Sequence, residues 1–410
     1  MKYIIASLFL VFLSACKSET KEPINTVSIK EDVTFLASDA LEGRQTGSDG
    51  EQKAAKYIAE RFQNIGLQEK GTKGYLQTFS FRPKTDPHQK VNYTVKDGDS
   101  TITGTNVIGF IDNKAENTII IGAHYDHLGL GAEGSLHRGE KAIHNGADDN
   151  ASGVAVLLNL AEKLKAKNIN NNYLFMAFSG EEMGLLGSNY FVKNPTIDTK
   201  KVNYMINMDM VGRLKADSTL AVYGVGTSPI LKQTVTSNNS KFKIVAKESG
   251  VGPSDHTSFY NADIPVLHLF TGQHEDYHKP SDDTEKLNYE GMKTISNYIF
   301  EIITDLDNNG KLPFRETKNE SDEVPKFEVG LGVTPDYLYD GLGMRIDGTR
   351  SNTPATNAGI QKGDIVMKMG THDITDMMSY MKALASFKKG DSTKVIVKRD
   401  EELVEADVTF

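Results

Sequence analysis

Imidazoles and carboxylates recur in this chain at one kind of place, just after a short apolar run. Thr118–Ile121 is followed by Gly122-Ala123-His124-Tyr125-Asp126-His127, and then by Gly146-Ala147-Asp148-Asp149-Asn150-Ala151-Ser152-Gly153 at the start of a Val-, Leu- and Ala-rich stretch. Leu174–Phe178 leads into Ser179-Gly180-Glu181-Glu182, and Val202–Ile206 into Asn207-Met208-Asp209. Ile264–Phe270 leads into Thr271-Gly272-Gln273-His274-Glu275-Asp276-Tyr277-His278. A single carboxylate in such a place is ordinarily a helix cap. Four such runs in succession predict one shared rim. Imidazole and carboxylate donors suit zinc, and a carboxylate can bridge two ions. Hydrolysis at such a centre also needs a carboxylate that is not a ligand and can take a proton from water. Two adjacent glutamates can divide those two tasks.

Composition narrows the chemistry further. The 410 residues include ten His and one Cys, so an intramolecular disulfide, a thiolate-cage zinc site and an iron–sulfur cluster are excluded. Any metal must be held by His and carboxylates. With 46 Lys+Arg against 55 Asp+Glu the formal charge is −9, which argues against a nucleic-acid partner. The hydrophobic share of 38% and charged share of 25% are those of a globular chain, and the length suits two or three domains.

The elements that must position these residues follow from the apolar pattern. Residues 31–65 read as helical, with near-helical spacing of Ala54, Ala55, Tyr57, Ile58, Phe62 and Ile65, and Leu41–Gly50 as a glycine-punctuated loop between. Residues 75–110 alternate as edge or hairpin strands do. The four apolar runs named above, interleaved with helices, predict an α/β fold: a central sheet buried on both faces. Ligand sites in such sheets lie beyond the carboxyl ends of the strands. A helix over Tyr289–Leu306 closes the block, 307–326 reads as a polar linker, and a module of about 84 residues follows from Phe327.

The set HYDH, GADDNASG, FSGEEMGLLGS, NMDM and YHKPSDDT resembles the zinc aminopeptidases of peptidase family M28, over roughly residues 31–306. That resemblance implies a mixed, mostly parallel central sheet flanked by helices, of the zinc aminopeptidase and phosphorylase-like kind. It implies two zinc ions per chain: His124 and Asp209 on one, Glu182 and His278 on the other, and Asp149 bridging both. Glu181 is then the general base, Asp126 orients His124, and Tyr277 steadies the oxyanion. It further implies a cis Asp149–Asn150 peptide. The segment AGIQKGDIV, with GLGV before it, is similar to bacterial PDZ domains, which bind extended peptides by strand addition. A module that only shapes the catalytic cleft fits the same residues.

The other histidines read more plainly. His127 is expected to be supporting or structural, His274 a surface or rim residue, and His268 a core residue. His256 is either pocket wall or packing, and Asp282 either a partner of His278 or a helix cap. Ser254-Asp255-His256 lacks the nucleophile elbow and third partner of a serine triad.

At the amino terminus, Tyr3–Leu13 is an apolar run behind Lys2, too short for a permanent span, and Leu13-Ser14-Ala15-Cys16 resembles a bacterial lipobox. The expectation is a signal peptide over 1–15, lipid on Cys16, a tether over 16–30, the peptidase domain over 31–306 and a PDZ domain over 327–410. The chain is thus expected to be exported, anchored at Cys16 and cutting peptides with a free amino terminus, with a peptide or protein carboxyl terminus in the PDZ groove. The alternatives are another exopeptidase on the same site, such as a carboxypeptidase or dipeptidase, or a peptide-binding adaptor with a scaffold peptidase domain.

Overall fold

The computed structural model describes residues 27–83, 93, 100–131, 133–167, 170–318, 327–339, 341–350 and 352–410; the apolar leader, Cys16 and part of the linker lie outside the described residues. Helix α1 (Ile29–Leu36) starts where Ser28 and Glu31 cap each other reciprocally. Helix α2 (Asp49–Ile65) starts at Ser48, whose hydroxyl accepts from Glu51 N, and stops at Gly66 with φ +82°. Its apolar stripe, Ala54, Ala55, Ile58, Phe62 and Ile65, is buried. The buried Arg61 guanidinium ties both helices to a third, reaching Asp32 and Glu162 at 2.8 Å each.

Among the described residues, nine strands form the large sheet: β1 (Gln68–Glu69), β2 (Leu76–Phe81), β3 (Ile102–Ile111), β4 (Thr118–His124), β5 (Asn172–Phe178), β6 (Val202–Met208), β7 (Thr219–Tyr223), β8 (Lys243–Ala246) and β9 (Val266–Phe270). Their order is β1-β3-β5-β4-β6-β9-β7-β8, with β2 also on β3. The four expected strands are its parallel centre, β5-β4-β6-β9. Both flanks are antiparallel where β3 meets β5 and β7 meets β9. The alternating segment is a β2/β3 pairing running from Leu76↔Val107 to Phe81↔Ile102. Pro265 delays the last central strand, which begins at Val266 and not at Ile264.

Helices α3 (Gly153–Ala166), α4 (Leu186–Lys193), α5 (Leu231–Ser237), α6 (His256–Tyr260) and α7 (Tyr289–Leu306) cover the sheet. One core lies between the sheet and α1, α2, α3 and α7; a second, built on Ile120, Met176, Phe178 and Met205, packs the opposite face against Phe191 and Phe259. Every residue of β4, β5 and β6 is buried, as a sheet covered on both faces requires. Gly109 of β3 lets α2 approach closely, since a Cβ there would sit 2.7 Å from Leu67 and 2.8 Å from Phe62.

The carboxyl-terminal module is a separate antiparallel sheet: β10 (Val333–Pro335), β11 (Met344–Thr349), β12 (Ile365–Met369), β13 (His372–Asp373), β14 (Ser392–Arg399) and β15 (Glu402–Thr409), with helices α8 (Pro354–Asn357) and α9 (Met377–Leu384). It buries its own core of Leu331, Met344, Ile346, Val366, Val395 and Val397. Among the described residues no helix is long and apolar enough to cross a membrane.

Candidate metal centre

The rim is built by the carboxyl ends of the central strands. His124 is the last residue of β4, Asp209 follows β6 directly, Glu181 and Glu182 lie just beyond β5, and His278 comes from the loop after β9. Asp149 is delivered by the irregular turn of residues 147–152 that leads into α3. Its peptide bond to Asn150 is cis, as expected.

The turn around Asp149 is held on every side. The Asp282 carboxylate accepts from Asp148 N and Asp149 N at 3.0 Å. Asn150 donates to Met208 O at 3.0 Å and accepts from Gly153 N, fastening the turn to the end of β6. Asp148 accepts from Gly212 N at 2.6 Å, from Ser152 Oγ at 3.0 Å and faces His274 Nε2 at 3.1 Å. On the outer side sits Arg44, fully buried, donating to the carbonyls of Tyr125, Leu36, Asn145 and Gly146. Burial lowers its guanidinium to about 10 while Asp126, Asp149, Asp282 and Glu182 oppose the change.

Asp149 stands between two imidazoles. Its Oδ1 is 3.3 Å from His124 Nε2 and its Oδ2 is 3.2 Å from His278 Nε2. His124 Nε2 is also 3.4 Å from Asp209 Oδ1, and His278 Nε2 is 3.2 Å from Glu182 Oε2. The far nitrogens decide the tautomers. His124 Nδ1 faces the Asp126 carbonyl at 3.2 Å and His278 Nδ1 the Gly134 carbonyl at 2.9 Å. A carbonyl only accepts, so each Nδ1 carries a proton, and Nε2 is the nitrogen that faces the carboxylate oxygens. His124 Nε2 is buried and makes no hydrogen bond. A neutral ring would turn its Nε2 lone pair toward those oxygens, which needs a cation between them, and histidine ligands of metals commonly donate their other N–H to a carbonyl. The donor set therefore fits two metal ions sharing Asp149. Without ions the same groups neutralise one another. Burial would lower His278, but Asp149 and Glu182 raise it to about 11; burial would raise Glu182, but Asp149 notwithstanding, His127 and His278 bring it to about 2.

Glu181 is not among these pairs. Its N–H donates to Asp126 Oδ1 at 3.1 Å, which fixes the backbone at this residue. Burial and the charges of Asp209, Glu182 and Asp255 push its carboxyl well above the usual range, against the pull of His124. Such a carboxyl is suited to hold a proton. The ring of Tyr277 stacks on His278 with centroids 3.8 Å apart, and its hydroxyl is raised by burial and by Asp149, Glu182 and Glu181.

Several side chains sit differently from their sequence reading. Asp126 meets His124 through its backbone carbonyl; its carboxylate is 3.7 Å from Nδ1 and instead accepts from Glu181 N and Thr46 Oγ1. His127 takes the supporting one of its two readings, since its Nδ1 lies 2.7 Å from Glu182 Oε1, and it forms a ligand group with Asp149 and Glu182. Its Nε2 is buried without a hydrogen bond, so Nδ1–H is the nitrogen that turns Glu182. His274 is buried with Nε2 against Asp148, and it also borders the cavity between the two bodies. Asp282 neither touches His278 nor caps a helix; it grips the Asp148 and Asp149 amides. His256 is packing, stacked on His268 with centroids 4.4 Å apart.

Fold and site together define a two-cluster carboxylate–imidazole centre at the rim of a mixed α/β sheet. Residues 106–303 match the model of peptidase family M28 and residues 329–410 that of the PDZ domain, so the chain carries an M28 peptidase domain followed by a PDZ domain. It is 32% identical over 196 residues to the alkaline phosphatase isozyme conversion protein of Escherichia coli (strain K12), covering 47% of this chain and 52% of that one. It is 32% identical over 171 residues to a probable leucine aminopeptidase of Trichophyton verrucosum (strain HKI 0517), covering 39% and 44%. The chain thus spans about half the length of these curated relatives. The solved zinc aminopeptidase BSAP of Bacillus subtilis shares the fold, with a TM-score of 0.54 at 18% identity over 71% of this chain and 98% of that one.

Proposed function

We propose that the protein is a dizinc aminopeptidase that removes amino-terminal residues from peptides outside the cytoplasm. The observation that carries this reading is Asp149, whose two oxygens face two different Nε2 atoms at 3.3 and 3.2 Å. His124 and Asp209 would hold one zinc and His278 and Glu182 the other, with Asp149 available to both. Zinc bound there would acidify water toward neutrality and polarise the scissile carbonyl. Glu181 takes one proton from the attacking water, whose oxygen bonds to the carbonyl carbon. The same carboxyl then protonates the amide nitrogen as the C–N bond breaks, so it ends as it began. The Tyr277 hydroxyl donates to the carbonyl oxygen as negative charge develops there. Asp126 keeps Glu181 in place, and the carboxylates around the centre favour a substrate carrying a free α-ammonium group. Relatives named as aminopeptidases and the zinc aminopeptidase sharing the fold support this specificity over other exopeptidase activities. Cys16, preceded by Leu13-Ser14-Ala15, carries lipid and anchors the chain, while the PDZ module receives a peptide or a protein carboxyl terminus.

The test is a Glu181→Gln variant assayed on a free-amine peptide. It should take up two zinc ions like the parent and lose about 10²–10⁴-fold in kcat. Parental kcat in that variant would remove Glu181 from the mechanism.

A further inference from the structure

The loop 271–278 carries two functional faces. Inward, His274 meets Asp148 and His278 meets Asp149 and Glu182. Outward, the same loop meets the PDZ module. A Cβ on Gly272, at φ +100°, would lie 2.8 Å from Leu338 Cδ1, and one on Gly348 would lie 3.9 Å from Glu275 Cα. Leu338 is only 3% exposed, and its partners are not PDZ residues. It packs with Ala221 of β7 and Val245 of β8, with Tyr223 and Phe270 alongside. Polar links surround this plug. Lys215 of the catalytic body reaches Asp347 at 3.0 Å and Asp336 at 3.7 Å, and Asp336 is held in turn by Arg345. Beside these contacts is a cavity of about 550 Å³ bordered by Gly272, Gln273 and His274 on one side and Arg345 and Lys362 on the other.

We propose that the PDZ module braces the metal-binding loop, with Leu338 and Lys215 as positioning residues for His278. The loop is held within the catalytic body by His274 on Asp148 and by Asp276 on Arg213 and Lys286, and from outside by a leucine that belongs to the other domain. His278 itself adopts φ +55°, a left-handed conformation that an unsupported residue other than glycine rarely keeps. Losing the outer contact frees the loop on one side and lets His278 leave the geometry that Glu182 and Asp149 require. His124 and Asp209 lie on strand ends that the module does not touch through these contacts. The effect therefore falls on one metal position and spares the other. This inference rests on the dizinc reading above.

The experiment is a zinc titration of the full chain against a competing chelator, without substrate, for the parent, Leu338→Ser, Lys215→Ala and Leu338→Met. Loss of the brace should weaken one of the two zinc equivalents about 10-fold in Leu338→Ser, the scale at which groups supporting ligands act. The other equivalent should stay within about twofold, and Leu338→Met should restore both. Lys215→Ala should weaken the same equivalent in the same direction, and it answers the question even if Leu338→Ser fails to fold. Two unchanged equivalents in Lys215→Ala and in folded Leu338→Ser overturn the brace while leaving the dizinc centre intact. Equal weakening of both equivalents also overturns it. A parent chain that takes up no zinc overturns the dizinc reading and the brace together.

Discussion

Asp149 and Arg44 show how the same centre is held by opposite charges, one at the reacting surface and one beneath it. Arg44 was legible only as part of a glycine-punctuated loop, because its four carbonyl partners are brought to it by the fold, two of them from about a hundred residues away. Replacing it with methionine strands those carbonyls in the interior. Denaturant unfolding of Arg44→Met should show a loss of about 3 kcal/mol or more. His127, His274 and Asp282 were read without their partners for the same physical reason. Their partners lie 55, 126 and 134 positions away, and a lone imidazole or carboxylate in a sequence carries no sign of such a partner. Residues ending strands were easier, because the apolar run before each one states where the sheet delivers it. His127→Phe should test that contact: without its N–H, Glu182 should bind zinc more weakly by about 10-fold, measured by chelator competition.

At the scale of elements, the central strands could be read from their unbroken apolar runs, and the edge pairing from its alternation. Sheet order could not, since it depends on contacts between strands distant in the chain. Gly109 marks one such contact, and Gly109→Val should push α2 away from β3 and cost about 1–3 kcal/mol, seen as a lower thermal midpoint. Glu51 of α2 reaches under the rim, accepting from Ser179 Oγ at 2.6 Å and Thr105 N at 2.9 Å. Burial raises its carboxyl to about 7, with Asp126 adding to the rise and its hydrogen bonds opposing it. The folded protein therefore keeps this proton where the unfolded chain has released it. The associated stability is complete below about pH 4.5 and is lost as pH rises through about 7. Glu51→Gln should flatten that part of the curve, so its thermal midpoint should fall less than the parent's between pH 5 and about 7.5.

At the scale of the molecule, two bodies with separate hydrophobic cores meet at the loop that supplies His278. The polar linker and the change of pattern at Phe327 foretold a second module, but not that Leu338 would be buried in the first. The meeting of both bodies at one loop makes the metal centre the place where the whole chain is tested. The most direct measurement compares an aminoacyl anilide bearing a free α-amine with its N-acetyl counterpart, before chelation, after it, and on stepwise return of zinc. A dizinc aminopeptidase should cleave the free-amine compound alone, lose that activity on chelation, and recover it fully with two zinc equivalents per chain. Cleavage of the acetylated compound at a comparable rate, or activity that survives removal of metal, would contradict that reading.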